Sequence, residues 1–203
     1  KAGEITSLVG ANGAGKSTTL LALSGLIPKA MGQVRGQVLF EGEDVSGLAP
    51  HKRVERGIVQ VAEGRATLTT MTVRENLMLG TSTSREGPWT IDAIYEAFPN
   101  LAKLDRSLAG KLSGGEQQAV AIGRALMGDP VAVMLDEVSL GLSPAAVEFA
   151  YEALLRLREM GLALLIVEQD LSRALTTADQ MVVMCEGQVT LRATPQETSL
   201  AEL

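Results

Sequence analysis

The eight residues Gly10-Ala11-Asn12-Gly13-Ala14-Gly15-Lys16-Ser17 constrain this chain more than any other stretch. They match G-x-x-x-x-G-K-[ST] and stand between the apolar run Ile5 to Val9 and a helical pattern that starts at Lys16. That pattern carries Leu20, Leu21, Leu23 and Leu26 and stops before Pro28. Glycines at this spacing let a loop close tightly, so backbone N–H groups turn inward toward phosphate oxygens. The helix N-terminus that follows adds positive potential. In such a loop Lys16 reaches the β- and γ-phosphates of a nucleotide, and the Ser17 hydroxyl takes a place on Mg2+. At average residue frequencies the pattern arises by chance in on the order of one chain in a hundred of this length, before the strand–turn–helix context is required.

A strand feeding a helix in this way belongs to a parallel α/β sheet, and the rest of the pattern agrees. Val38 to Phe40, Ile58 to Val61, Val131 to Leu135, Leu162 to Val167, Met181 to Cys185 and Val189 to Leu191 read as further strands. Val131 to Leu135 has no polar alternation, so both of its faces are expected to be buried. Thr72 with Glu75, and Ser113 with Glu116, form capping boxes that open helices, the second running through Met127. Thr81 to Pro88 reads as a polar loop, and Thr90 to Phe98 as a short helix closed by Pro99. Ser143-Pro144 is an N-cap with proline at the first helical position, and that helix runs to Met160 before Gly161. From about Leu68 to Leu112 strand patterns are weak, and a mostly helical insertion is expected.

Composition narrows the function classes. The 203 residues are 46% hydrophobic and 21% charged, a balance that gives a folded core without disulfides or metal. The net charge of −6 speaks against a phosphate-neutralising groove, so nucleic acid is not expected as a partner. Glycine, at 21 of 203, is about 10% against an average of ~7%, which fits loops that approach a ligand with their backbone. The single cysteine, Cys185, cannot form an internal disulfide, and its apolar neighbours suggest core packing. No apolar run approaches the ~18 residues that cross a bilayer. The lone His51 and the neighbouring Lys52, Arg53 and Arg56 read as a solvated surface. Trp89 is expected to pack within the helical insertion, and Met71, Met78 and Met127 to fill core gaps.

Two more stretches carry chemistry. Val131-Ala132-Val133-Met134-Leu135-Asp136-Glu137 is an apolar strand ending in two carboxylates, 120 residues after Lys16. Parallel sheets hold ligands at that end, where Asp136 can hold Mg2+ through water and Glu137 can polarise an attacking water. Leu112-Ser113-Gly114-Gly115-Glu116-Gln117-Gln118 opens a helix with a serine and two glycines, a second helix tip suited to phosphate.

That heptapeptide resembles the signature motif of ATP-binding cassette proteins, and the order of the three motifs matches the family over essentially the whole chain. The resemblance implies a P-loop nucleotide-binding domain spanning residues 1–203, with a mainly parallel sheet and a helical subdomain near 68–112. It implies nucleotide contacts from Gly10, Asn12, Gly13, Ala14, Gly15, Lys16, Ser17 and Thr18, with ATP and Mg2+ as cofactors and Ser17 and Asp136 at the metal. Glu137 would be the general base, with Lys16 and Gln169 beside it at the catalytic centre. Ser113, Gly114, Gly115, Glu116 and Gln117 would close over ATP held by another subunit, so that two sites form in a head-to-tail dimer.

Departures from the family pattern narrow the resemblance. Glu63, in Val61-Ala62-Glu63-Gly64-Arg65, stands where most members carry glutamine. Gln169, in Ile166-Val167-Glu168-Gln169-Asp170, stands where most carry histidine, and Ser139-Leu140-Gly141-Leu142 replaces a commoner loop. Together these are similar to the second ATPase subunit of branched-chain amino-acid importers, with urea or short-amide importers as near alternatives. The implied partners are a sister ATPase or second copy, two membrane permeases and, indirectly, an external binding protein. The implied location is the cytoplasmic face of the cell membrane. In the family an aromatic side chain upstream of the P-loop stacks on adenine. None stands in the nine residues before Gly10, so an N-terminally truncated domain is expected. Two readings remain beside the importer: a DNA-associated ATPase and a nucleotide-binding regulator that does not hydrolyse. Against the first, only 97 residues separate Lys16 from Ser113, too few for a long coiled coil between them.

Overall fold

A computed structural model describes all residues except 29, 31, 65, 84 and 199–203, so Arg65 of the Glu63 loop lies outside the described residues. The strands are β1 (Ile5–Val9), β2 (Leu39–Phe40), β3 (Glu43–Asp44), β4 (Ile58–Val61), β5 (Ala132–Asp136), β6 (Ala163–Glu168), β7 (Gln180–Cys185) and β8 (Gln188–Ala193). The helices are α1 (Lys16–Ser24), α2 (Pro50–Glu55), α3 (Val73–Met78), α4 (Ile91–Ala97), α5 (Pro99–Lys103), α6 (Gly114–Leu126), α7 (Pro144–Glu159) and α8 (Leu171–Thr177). Short 3-10 turns lie at Leu79–Ser82, Ala109–Lys111 and Pro195–Glu197.

Six strands form one sheet in the order β4-β5-β6-β1-β7-β8, and β2 pairs with β3 in a small antiparallel ribbon. From β4 to β7 every pairing is parallel; only the β7–β8 hairpin runs antiparallel. The register sets Val9 beside Glu168 and Asp136 beside Val167. The carboxyl ends of β1, β5 and β6 therefore meet along one edge, where such sheets place their ligands.

Both faces of the sheet are covered, which is why β5 and β6 are apolar up to their terminal carboxylates. Along β5, Val133 and Leu135 face one core with Ile5, Leu164 and Ile166, while Met134 faces the other with Leu8, Leu20 and Val167. The first core is sealed by Val120, Ile122 and Leu126 of α6 and by Leu154 and Leu157 of α7. It continues without a break into Leu77, Ile94, Phe98 and Leu101 of the segment between β4 and α6. Each fully buried Leu, Ile or Phe contributes roughly 1.5–3 kcal/mol relative to exposure. Behind β7, Val9, Met181 and Val183 form a third cluster with Ala174 of α8.

Local chemistry explains the helix starts. Thr72 accepts the Glu75 amide while Glu75 accepts the Thr72 amide, and Ser113 and Glu116 do the same. Ser143 accepts the Ala146 amide ahead of Pro144. Pro99 does not only end α4; it takes the first position of α5, where a missing N–H costs nothing.

Several expectations are corrected. Cys185 is exposed, because it is the last residue of β7 beside the Glu186-Gly187 turn. Met78 is 48% exposed at the end of α3, whereas Met127 is buried and Met71 half-buried. His51 and Lys52 are exposed on α2, but Arg53 on the same helix is buried. Its guanidinium donates to the carbonyls of Ala22 and Leu23 at 2.9 and 2.6 Å, and to those of Ser46 and Leu48 at 2.8 and 3.2 Å. Those first two oxygens belong to the last turn of α1, where carbonyls lack an intrahelical partner (the Gly25 amide also donates to Ala22), so a cation is favoured there. Trp89 is buried, and its backbone amide donates to Asp129.

Candidate functional site

The loop from Gly10 to Gly15 leaves β1 and returns into α1, with Gly15 in the left-handed region at the helix cap. Gly10 has φ +156, and a Cβ there would stand 2.2 Å from the Met184 carbonyl oxygen, so no side chain fits. The amide of Gly187 donates to the Ala14 carbonyl at 3.1 Å, which ties the loop to the β7–β8 turn. Asn12, Gly13 and Thr18 are exposed and Ala14 is buried beneath them. Gly10 to Ala14 line a cleft of about 720 Å³ that also takes in Gln169 and the turn at Cys185 and Glu186.

Lys16 is buried, and its ammonium donates to the carbonyls of Gly10 and Ala11 at 2.8 and 3.0 Å. The ammonium thus sits across the mouth of its own loop. Next to it, the Ser17 hydroxyl donates to Asp136 Oδ1 at 3.1 Å. Burial holds the Asp136 carboxyl above the usual carboxylate range; the charges of Glu137 and Glu63 add to this, while Ser17 and Lys16 oppose it. The excess of negative charge, together with a hydroxyl and a carboxylate side by side, fits a divalent cation. Among the described residues no group of three or more His, Cys, Asp or Glu forms a closed cage. An ion here would keep water or phosphate ligands, as hard divalent cations commonly do.

Glu137 follows β5 with φ +49, an uncommon conformation for a non-glycine residue. Its Oε1 accepts a hydrogen bond of 2.5 Å from Gln169 Nε2, so the carboxylate and the amide across the sheet edge form one pair. Glu63, on the loop after β4, is exposed and bears on Asp136 through its charge.

The serine–diglycine tip lies elsewhere. Ser113, Gly115 and Glu116 line a separate cleft of about 260 Å³ with Phe98, Ala145 and Phe149, and no P-loop residue contributes to it. Ser113 is exposed and Gly114 half-buried. A Cβ on Gly115 would stand 2.7 Å from Ala146 Cβ, so α6 and α7 meet at their tips with no room for a side chain. Glu116 accepts from the Ser113 amide and hydroxyl, both at 2.7 Å, while Gln117 donates to the carbonyls of Ala109 and Leu112. One copy of the chain therefore gathers Lys16, Ser17, Asp136, Glu137 and Gln169 and leaves the Ser113 tip in a cleft apart from them.

Glu168 plays a larger part than the sequence suggested. It is 2% exposed and accepts hydrogen bonds from Tyr151, Ser139 and the amides of Gln169 and Asp170. A signal was present: Leu164, Ile166 and Glu168 alternate along β6 and share the face that looks toward α7.

Residues 1–139 match the ABC transporter family. The chain is 40% identical to the high-affinity branched-chain amino acid transport ATP-binding protein BraG of Pseudomonas aeruginosa, over 96% of this chain and 82% of that protein. It is 36% identical to the probable branched-chain amino acid transport ATP-binding protein LivF of Archaeoglobus fulgidus, over 97% and 83%. The crystal structure of the ADP conformation of MJ1267, an ATP-binding cassette of an ABC transporter, superposes with a TM-score of 0.82. Its identity is 29%, and the match covers 97% of this chain and 82% of that one. Fold, motif order and these likenesses agree: the chain belongs to the ABC transporter family and has the fold of its ATP-binding cassettes.

Proposed function

We propose that this chain is the ATP-hydrolysing subunit of a membrane importer for branched-chain amino acids. One observation carries the reading: the sheet edge collects a lysine over a glycine loop, a serine–aspartate pair and a glutamate held by a glutamine. Phosphoryl transfer to water needs these parts, in the form of charge stabilisation, a metal seat and a group that orients the nucleophile. Backbone amides of Gly10, Asn12, Gly13, Ala14 and Gly15 hold the phosphates, with Lys16, Ser17 and Thr18 at the start of α1. Ser17 and Asp136 would hold Mg2+, which when bound would supply charge neutralisation at the phosphates. Glu137 takes the proton of the attacking water, and Gln169 keeps its carboxylate aimed.

Residues around Glu63 to Asn76, with the helical subdomain, would form the docking surface for the permease. Since the Ser113 tip lines a cleft apart from the P-loop of its own copy, a second ATPase placed head to tail would bring Ser113, Gly114 and Gly115, with Glu116 and Gln117 behind them, onto the γ-phosphate. The whole chain acts as one ATPase domain, with 68–112 as its helical subdomain. No described helix is long and apolar enough to cross a membrane, so two permease subunits would hold it at the cytoplasmic face. An external binding protein would deliver the substrate.

The substrate assignment rests on the likeness to proteins named for branched-chain amino-acid transport. The test is uptake into vesicles that carry the permeases that co-purify with this chain, with labelled leucine, isoleucine and valine against urea and acetamide. ATP-driven accumulation of the amino acids supports the proposal. Accumulation of urea or amide alone, or stimulation of ATP turnover by DNA instead of by permease, overturns it.

A further inference from the structure

Glu168 is a buried carboxylate, yet among the described residues no lysine or arginine reaches it within salt-bridge distance. Hydrogen bonds serve it instead. The Tyr151 hydroxyl donates to Oε1. Ser139 Oγ at 3.3 Å, the Gln169 amide at 3.1 Å and the Asp170 amide at 3.5 Å all converge on Oε2. Each carboxylate oxygen offers about two lone-pair sites, so Oε2 is saturated by its three donors while Oε1 takes Tyr151. Tyr151 is itself buried on α7, with the Arg173 guanidinium 4.8 Å from its ring centroid. Arg173 in turn pairs with Glu148 at 3.1 Å, which joins α8 to α7.

The donors come from three places that matter. Ser139 lies two residues beyond Glu137 on the loop after β5. The Gln169 amide starts the loop after β6, whose side chain holds Glu137. Tyr151 belongs to α7, whose first turn abuts Gly115 of the serine–diglycine tip through Ala146. A stability role alone would be met by any satisfied polar group at the end of β6. What this arrangement adds is a common acceptor for both loops that frame the Glu137–Gln169 pair.

We propose that Glu168 is a positioning residue for hydrolysis: by accepting from Ser139, the Gln169 amide and Tyr151 at once, it locks the loops after β5 and β6 to each other and to α7, and so keeps Gln169 in reach of Glu137. The role depends on acceptance of hydrogen bonds, not on charge. This inference rests on the reading of Glu137 and Gln169 as the hydrolytic pair.

The test is steady-state phosphate release by the full chain with Mg2+ and ATP, alongside binding of a fluorescent nucleotide. Glu168→Ala leaves the four donors without their acceptor. It should lower kcat about tenfold or more while KM and nucleotide affinity stay within about twofold. Glu168→Gln keeps an oxygen at the Oε2 position and an amide toward Tyr151, and should recover at least a third of the wild-type kcat. Tyr151→Phe retains the ring and removes one donor, the milder of the changes, and should cost about threefold in kcat at unchanged KM. The proposal is overturned if Glu168→Ala hydrolyses at the wild-type rate, or if its nucleotide affinity falls along with kcat. It is also overturned if Glu168→Gln is as slow as alanine, or if Glu168→Ala does not fold and Tyr151→Phe turns over normally. Glu137→Gln serves as the control. If it too leaves turnover intact, the hydrolytic reading itself fails; if it abolishes turnover while the Glu168 variants are normal, only the present inference falls.

Discussion

Gln169 Nε2 donates to Glu137 Oε1 at 2.5 Å, bridging the loops that follow β6 and β5. A neutral amide in this place aims the carboxylate without competing for its proton, and it brings no positive charge of its own. Positioned general bases contribute typically 10²–10⁴-fold. Glu137→Gln should therefore lower phosphate release by about a thousandfold while nucleotide still binds. Gln169→Ala should cost less, about three- to tenfold, in keeping with ~0.5–1.5 kcal/mol for one neutral hydrogen bond. Phosphate release and fluorescent-nucleotide titration on the same preparations check both.

Lys16→Ala removes the only ammonium that crosses the glycine loop mouth among the described contacts. Charge-assisted bonds are worth roughly 1.5–3 kcal/mol, so nucleotide affinity should weaken by about ten- to a hundredfold. The change leaves β1 and the core untouched, so the circular dichroism spectrum should match wild type. Equal affinity in both proteins would remove Lys16 from the phosphate site.

Asp136 gives a prediction with two signs. Burial, with Glu137 and Glu63 nearby, raises its carboxyl above the unfolded value near 3.8. Between that value and the raised one the folded state binds more proton than the unfolded state. Stability therefore falls as pH climbs through that window, and above it the ionised Asp136 is a net cost. Asp136→Asn keeps an acceptor for Ser17 without the charge. It should raise the melting temperature of the nucleotide-free chain by about 2–4 °C, the shift expected for ~1 kcal/mol at this size, while Mg2+-dependent hydrolysis is lost. A melting temperature at or below wild type at pH 7, measured by calorimetry, contradicts this.

Arg53→Met keeps most of the buried stem but leaves the carbonyls of Ala22, Leu23, Ser46 and Leu48 without their donor. The expected loss is about 3 kcal/mol, or roughly 6–12 °C in melting temperature. Lys52→Met, one residue earlier on the exposed side of α2, removes only a surface pair with Glu55 and should change stability by less than about 0.5 kcal/mol. Similar losses for the two variants would show that Arg53 is not an anchor.

The contrast between Lys52 and Arg53 also shows what a linear reading recovers. Capping boxes, the proline at the start of α7 and the glycine loop are local devices, so their elements were legible within a residue or two. The exposed lysine and the buried arginine have the same local signature, a basic run after a proline. Only the approach of α1's end, some thirty residues away in sequence, separates them. β3 and α8 are short and owe their form to neighbours, and Cys185 reads as core until the turn beside it lifts it out. The Lys16, Ser17 and Asp136 set was legible because its members lie at the ends of strongly patterned strands. The alternation along β6 points to the burial of Glu168, but its set of donors was hidden, because they come from residues 139, 151, 169 and 170 and no spacing rule links them.

The ammonium of Lys16, already held by Gly10 and Ala11, has a further consequence for how a ligand is received. A lysine free in solvent must surrender rotamer freedom when it grips a phosphate, about 2 kcal/mol for a side chain of this length. Here two carbonyls of the loop itself order the side chain, so contact with a phosphate exchanges carbonyl partners for phosphate oxygens instead of searching for a pose. The affinity of such a loop reflects the trade of acceptors more than the stilling of a flexible arm.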